Sequence, residues 1–296
     1  MDFSQINLKE KIGSYFQTDT RKKINLFVFL FPGTLWLVFF FVFPLAIVLI
    51  YSFLERGTYG GVSWIFTIDN YERIFNPIYW TVFLRSLSFA FLTTFTCLLV
   101  GYPLAFFIVM QPQKWRNILL LLIIIPFWTN FLVRIYAWIV LLRSEGVINV
   151  VLQGLGIVGE PLELLFTPFA VSVGLIYGYL PFMILPLYAT IEKFNFSLIE
   201  ASHDLGANDW RTFWRVILPL TSRGIIAGSL LVFIPAVGEY VTPDILGGAK
   251  TLMMGNLVQN QFSGARNWPF GSVLSIAMMA IVLLPIIVYF RVSDEK

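Results

Sequence analysis

The chain has 296 residues, 58% of them hydrophobic and only 12% charged. Soluble domains carry roughly twice that charged fraction, so the composition excludes one and assigns the chain to a lipid bilayer. The net charge of +3 fits the basic bias of inner loops rather than nucleic-acid binding, while one cysteine, Cys97, and one histidine, His203, exclude an internal disulfide framework and a Cys/His metal cluster.

Residues 1–24 form a polar tail with Lys9, Lys11, Arg21, Lys22 and Lys23. The apolar run from Asn25 to Phe53 is too long for a signal-peptide core and shows no small-residue cleavage site, so it reads as an uncleaved anchor. A polar loop, 54–80, leads to a second span from Thr81 to Met110, which ends at a short basic turn before Arg116. The third span runs from Asn117 to Leu142 and the fourth from Pro168 to Thr190, separated by a loop with Glu145, Glu160 and Glu163. A polar segment, 191–223, precedes a fifth span from Gly224 to Ile245 and a sixth from Gly271 to Phe290. The expected architecture is therefore an all-α integral membrane protein, with one six-span domain over 25–290 and a short tail at 291–296.

Basic residues set the orientation. With the N-terminus cytoplasmic, thirteen Lys and Arg lie inside, and only Arg56, Arg73, Arg143, Lys250 and Arg266 lie outside. This bias predicts cytoplasmic termini and a cytoplasmic 191–223 segment.

Every span contains proline: Pro32 and Pro44, Pro103, Pro126, Pro181 and Pro186, Pro235, Pro285. A helical bundle tolerates such breaks, because neighbouring groups satisfy the freed carbonyls. Gly174 with Gly178, and Gly224 with Gly228, permit close helix approach within the chain or against a partner. Two ionisable residues fall inside spans. Arg134 sits about 12 Å and Glu239 about 9 Å from the outer ends at 1.5 Å per residue, so the two can pair. Alternatively Glu239 faces a pathway for a cation, with Asp244 nearer its mouth and Trp128 and Tyr240 offering aromatic faces. Enzyme signatures are missing: there is no zinc-type His cluster and no GxSxG elbow. Gly247-Gly248-Ala249-Lys250-Thr251 resembles a phosphate loop, yet Ala249 stands where that loop needs glycine.

The polar segment carries the most specific pattern. Ser197 followed by Glu200 reads as a capping box, Gly206 as a left-handed helix stop and Asn208 as the cap of a second helix running through Trp210, Phe213 and Trp214. It is either an ordinary capped connector or a small helix presented to a groove on another protein. Glu200-Ala201-Ser202, three residues, Gly206, nine residues, then Val216-x-Leu218-Pro219 resembles the cytoplasmic EAA loop of ABC importer permeases. Ser202 departs from that family's alanine and Val216 from its isoleucine; a serine still permits close approach.

Further stretches resemble the permease subunits of spermidine/putrescine importers: Asp69 to Ile74, Pro126 to Tyr136, Gly238 to Gly248, and Met254-Gly255-Asn256 with Arg266 to Gly271. The resemblance implies the six-helix MetI-like fold of type I importers and a place in a bacterial inner membrane. It also implies a second permease subunit, a dimer of ATP-binding subunits that hold ATP and Mg2+ in place of this chain, and an external solute-binding protein. Glu200, Ala201, Ser202, Gly206, Leu218 and Pro219 are then the expected coupling residues, and Glu239, Tyr240, Asp244, Trp128 and Arg134 the expected pathway residues. Ferric iron, thiamine and opine importers share parts of the pattern, and a secondary transporter would need no ATPase subunit.

Overall fold

The structure, a computed structural model, describes residues 28–294, so the 1–24 tail and Lys296 lie outside the described residues. Within them, six helices are long and apolar enough to cross a membrane: Val28–Ser52, Pro77–Met110, Phe131–Gly154, Pro168–Ile191, Asp209–Gly238 and Trp268–Ile287. Helix starts follow from local chemistry. Asn76, Asn130, Thr167 and Asn208 each accept a backbone N–H from the first turn that follows, and Pro77 and Pro168 sit where a helix has no N–H to lose.

Two spans expected to be continuous are broken. The third hydrophobic stretch runs as Gln113–Ile124, tightens into a 3-10 turn over Ile125–Trp128, and restarts as Phe131–Leu142. Pro126 supplies no N–H to the preceding turn, and Asn130 caps the new helix through Leu132 N at 2.8 Å. A short helix, Val147–Gly154, then follows the bend at Arg143–Gly146. The fifth span stops at Gly238, passes through extended backbone at Glu239, and resumes as Val241–Gly247. At its N-terminal end the helix starts at Asp209 rather than Gly224, so the second helix of the polar segment and the fifth span form one rod.

The core lies between the second, fourth and fifth spans, which pack most extensively on one another. Ile108, Met183, Ile184, Leu187, Ile191 and Val232 are buried there. Gly224 and Gly228 make this packing possible: a Cβ at Gly224 would sit 2.5 Å from Thr190 Oγ1, and one at Gly228 2.8 Å from Met183 Sδ. Gly174 likewise admits Leu246 and Thr242, whereas Gly178 has open space beside it. The first span packs chiefly against the sixth and exposes its apolar residues from Val28 to Phe43.

One hairpin departs from the all-helical expectation. Leu54–Arg56 pairs antiparallel with Val62–Phe66 in the loop between the first and second spans. It is latched to the loop before the sixth span, where Arg56 donates to Ala265 O and Gly61 N to Arg266 O, each at 2.7 Å. Gly60 lies at φ +96°, and a Cβ there would stand 2.7 Å from Arg266 Cβ, so glycine is required at this contact.

Candidate functional site

The polar segment folds as two helices set against each other. Ser197–Asp204 is followed by Leu205 and by Gly206 at φ +81°, where the left-handed backbone ends the first helix. Asn208 then caps Asp209–Thr212, its side chain accepting from Arg211 N at 2.9 Å. The expected capping box does not form. Phe196 is already helical, so Ser197 lies inside the helix, and Asn195 Oδ1 instead accepts from Ser197 N (3.1 Å) and Oγ (2.8 Å).

Glu200, Ala201, Leu205 and Gly206 are exposed on one rim of this pair, Leu205 to 89%. Ser202 is not on that rim. Its side chain is buried, donates to Ile199 O at 2.7 Å and meets Thr212 Oγ1 at 2.8 Å, so it faces the second helix rather than an outside groove. Beyond Thr212 the rod widens into a π turn, Phe213–Ile217, closed by Leu218 N donating to Phe213 O. Pro219 has no N–H for Arg215 O and its ring crowds that carbonyl, a physical reason for the widening. Leu218 packs half-buried against the main core while Pro219 stays exposed.

The second constellation is the break at Glu239, assembled from four elements. Glu239 Oε1 accepts from Val241 N (3.0 Å) and Thr242 N (3.3 Å), capping the short helix that follows, and Oε2 accepts the hydroxyl of Tyr179 on the fourth span at 2.7 Å. Helix Met254–Ser263 supports the break from the other side. Asn256 Nδ2 donates to Tyr240 O at 2.7 Å, and a Cβ on Gly255 would come within 2.5 Å of Gly238 O and 2.6 Å of Glu239 O. The start of that helix is fixed in turn by Ser86 on the second span, whose Oγ accepts from Met254 N at 2.7 Å. Tyr179 and Ser86 carried no sequence signal, being separated from their partners by 60 and 168 positions.

Arg134 and Glu239 do not pair. Among the described residues Arg116 forms an ion pair with Glu192, and His203 Nε2 lies 3.2 Å from Asp209 Oδ1. The Arg134 guanidinium instead lies over the ring of Phe127, with Cζ 4.4 Å from the centroid, and its buried Nε and Nη1 have no hydrogen-bond partner. Depth along the helices allowed the pairing, but Arg134 lies over Phe127 while Glu239 is taken up by Tyr179, Val241 N and Thr242 N. Trp128, Tyr240 and Asp244 are exposed, Trp128 to 78% and Tyr240 to 45%. The Gly247–Thr251 stretch is explained by packing, since a Cβ on Gly247 would strike Thr251 and Val171.

The polar segment and, apart from Ser86, the residues of the Glu239 break fall within residues 98–294, which match the family model of the binding-protein-dependent transport system inner membrane component. The chain belongs to this family. The chain is similar over most of its length to spermidine/putrescine transport system permease proteins PotB: 48% identity in Haemophilus influenzae over 87% of this chain and 90% of that one. In Escherichia coli strain K12 the figures are 46%, 87% and 94%, and in Salmonella typhimurium strain SL1344 they are 44%, 93% and 95%. Among solved structures, a bacterial ABC transporter involved in the import of the acidic polysaccharide alginate superposes with a TM-score of 0.72 at 16% identity, covering 95% of this chain and 99% of that one. The MetNI methionine ABC transporter gives 0.55 at 19% identity, over 74% and 98%. These last two matches establish the MetI-like fold, and the permease is a multi-pass membrane protein of that type.

Proposed function

We propose that this permease is a membrane-spanning subunit of an ATP-driven importer of polyamines such as spermidine and putrescine. The observation that carries the reading is the 44–48% identity, over about nine-tenths of the chain, to permeases named for those solutes. Ferric iron, thiamine and opines are the other solutes the sequence pattern admits.

In this reading the Glu200–Gly206 rim docks on a dimer of ATP-binding subunits, which hold ATP and Mg2+. Its exposed Ala201 and Gly206 leave room for a close-fitting groove, and the adjoining rod delivers movement directly into the fifth span. ATP drives the bundle between inward- and outward-facing states only to the extent that the bound subunits favour one of them. A second, homologous permease completes the translocation path, and an external binding protein delivers solute to the latched outer hairpin. The exposed Tyr59, Trp64 and Phe66 on that hairpin give it an apolar contact surface. Both termini face the cytoplasm, following the basic bias of the loops.

At the Glu239 break, a polyamine ammonium meets a carboxylate whose position is fixed by three donors, with the exposed faces of Tyr240 and Trp128 available for cation–π contact and Asp244 as a further anion. The Arg134 cation repels such a substrate and marks the boundary of its path. Uptake of labelled spermidine by proteoliposomes holding the full importer tests the function. ATP-dependent, vanadate-sensitive uptake is expected. Uptake of ferric iron or thiamine in place of polyamines would replace the substrate, and uptake without ATP would remove the ATP-coupled mechanism.

A further inference from the structure

The coupling rim is carried by two helices that touch through one buried polar contact, and that contact lies where the family pattern has alanine. Ser202 is 9% exposed and Thr212 1%. Ser202 has a single hydroxyl hydrogen, and Ile199 O, 2.7 Å away, can only accept it. Thr212 Oγ1, 2.8 Å from Ser202 Oγ, is therefore the donor in the pair, and the described hydrogen bonds give its hydroxyl no other partner. Around this contact the loop is closed by Gly206 N to His203 O (2.8 Å) and Ala207 N to Ser202 O (3.0 Å), with His203 Nε2 3.2 Å from Asp209 Oδ1 at the exposed edge. Thr212 is also the last residue before the π turn that leads into the fifth span.

We propose that Ser202 and Thr212 are a matched pair of positioning residues: they hold the Glu200 helix at a fixed angle to the fifth-span rod, so that a push on the rim moves the span instead of folding the loop at Gly206. This rests on the coupling role proposed above. Neither side chain needs to touch the ATP-binding subunit. The left-handed glycine is the weakest joint between the two helices, and the only buried side-chain hydrogen bond spanning it among the described residues is this one. Physical chemistry then sets an uneven mutational pattern. Removing one partner strands a buried hydroxyl, whereas replacing both by apolar groups of similar shape is close to neutral.

The test is the number of ATP molecules hydrolysed per polyamine taken up by the complete importer in proteoliposomes. Ser202→Ala strands the Thr212 hydroxyl, and the ratio rises about fivefold, the population change set by one net hydrogen bond. Thr212→Val leaves the Ser202 bond to Ile199 O intact and gives a smaller rise, while Thr212→Ser keeps the wild-type ratio. Ser202→Ala with Thr212→Val returns to within about twofold of wild type, because no buried hydroxyl is left unpaired. A wild-type ratio in both single variants, or a double variant no better than the worse single one, overturns the proposal. Gly206→Trp serves as the reference. If it uncouples the importer while the pair does not matter, only the positioning role fails; if it too leaves uptake at the wild-type level, the coupling role of the loop fails with it.

Discussion

Tyr179 and Glu239 form a side-chain hydrogen bond between a tyrosine and a carboxylate within the bundle, and they show how one residue can serve packing and charge together. The Glu239 carboxylate substitutes for the N–H partners that Val241 and Thr242 lost when the helix broke, so its charge is held by backbone as well as by the phenol. Tyr179→Phe removes one of the three donors, and the expected cost is about 0.5–2 kcal/mol, the span of polar contacts within membrane bundles. Unfolding of the purified protein in mixed micelles measures it; no change would mean that the hydroxyl contributes nothing in the bilayer. Just beyond the C-terminal end of the fourth span, Glu192 accepts from Tyr188 and Arg116, at 2.7 and 3.0 Å. The Tyr188 hydrogen bond, followed by the Arg116 contact, lowers its pKa below the usual glutamate value. A lowered native pKa means that the stabilisation is complete above the unfolded value and disappears as pH falls through the native one. Glu192 is exposed, so solvent screening keeps the whole effect below about 1 kcal/mol. Glu192→Gln should flatten the acid limb of a stability–pH profile and leave the neutral region nearly unchanged.

Individual elements differ in how plainly the sequence announced them. Gly206 and Asn208 were legible because each has a local job: one adopts a left-handed backbone and the other caps the next helix by accepting the N–H three residues on. The capping box at Ser197 was a false signal, since Asn195 two positions earlier competes for the same N–H and is better placed. Breaks in the third and fifth spans were hidden for different reasons. Pro126 and Asn130 were visible, but a bundle tolerates proline within a helix, as Pro103, Pro181, Pro186, Pro235 and Pro285 do here. At Glu239 the apolar run continues on both sides, and the groups that stabilise the break, Tyr179, Gly255 and Asn256, come from distant parts of the chain. The same non-local logic governs the fit of the fourth and fifth spans. Gly224→Leu forces its side chain onto Thr190 and the Pro186 carbonyl, which overpacking arguments place at about 1–3 kcal/mol or more. Gly178→Leu meets open space and should be tolerated, and thermal melting of the two variants distinguishes the sites. Equal loss in both would contradict the packing described.

On the scale of the whole molecule, the fold puts its two constellations at opposite ends of one rod. The Glu200 rim joins the N-terminal end of that rod through Thr212, and the Glu239 break lies beyond its other end at Gly238. Movement of the rim therefore reaches the break along a single helix packed on the fourth span through Gly224 and Gly228, with the π turn as the softer point between them. The most direct test of this account is chemical cross-linking at the rim. Cys97 is fully buried, so Ala201→Cys supplies the only accessible thiol among the described residues. With a short bifunctional reagent and the assembled importer, the account predicts a covalent product between this permease and the ATP-binding subunit, and no such product from Tyr59→Cys on the outer hairpin. Failure of the Ala201→Cys protein to capture that subunit, or equal capture from Tyr59→Cys, would contradict it.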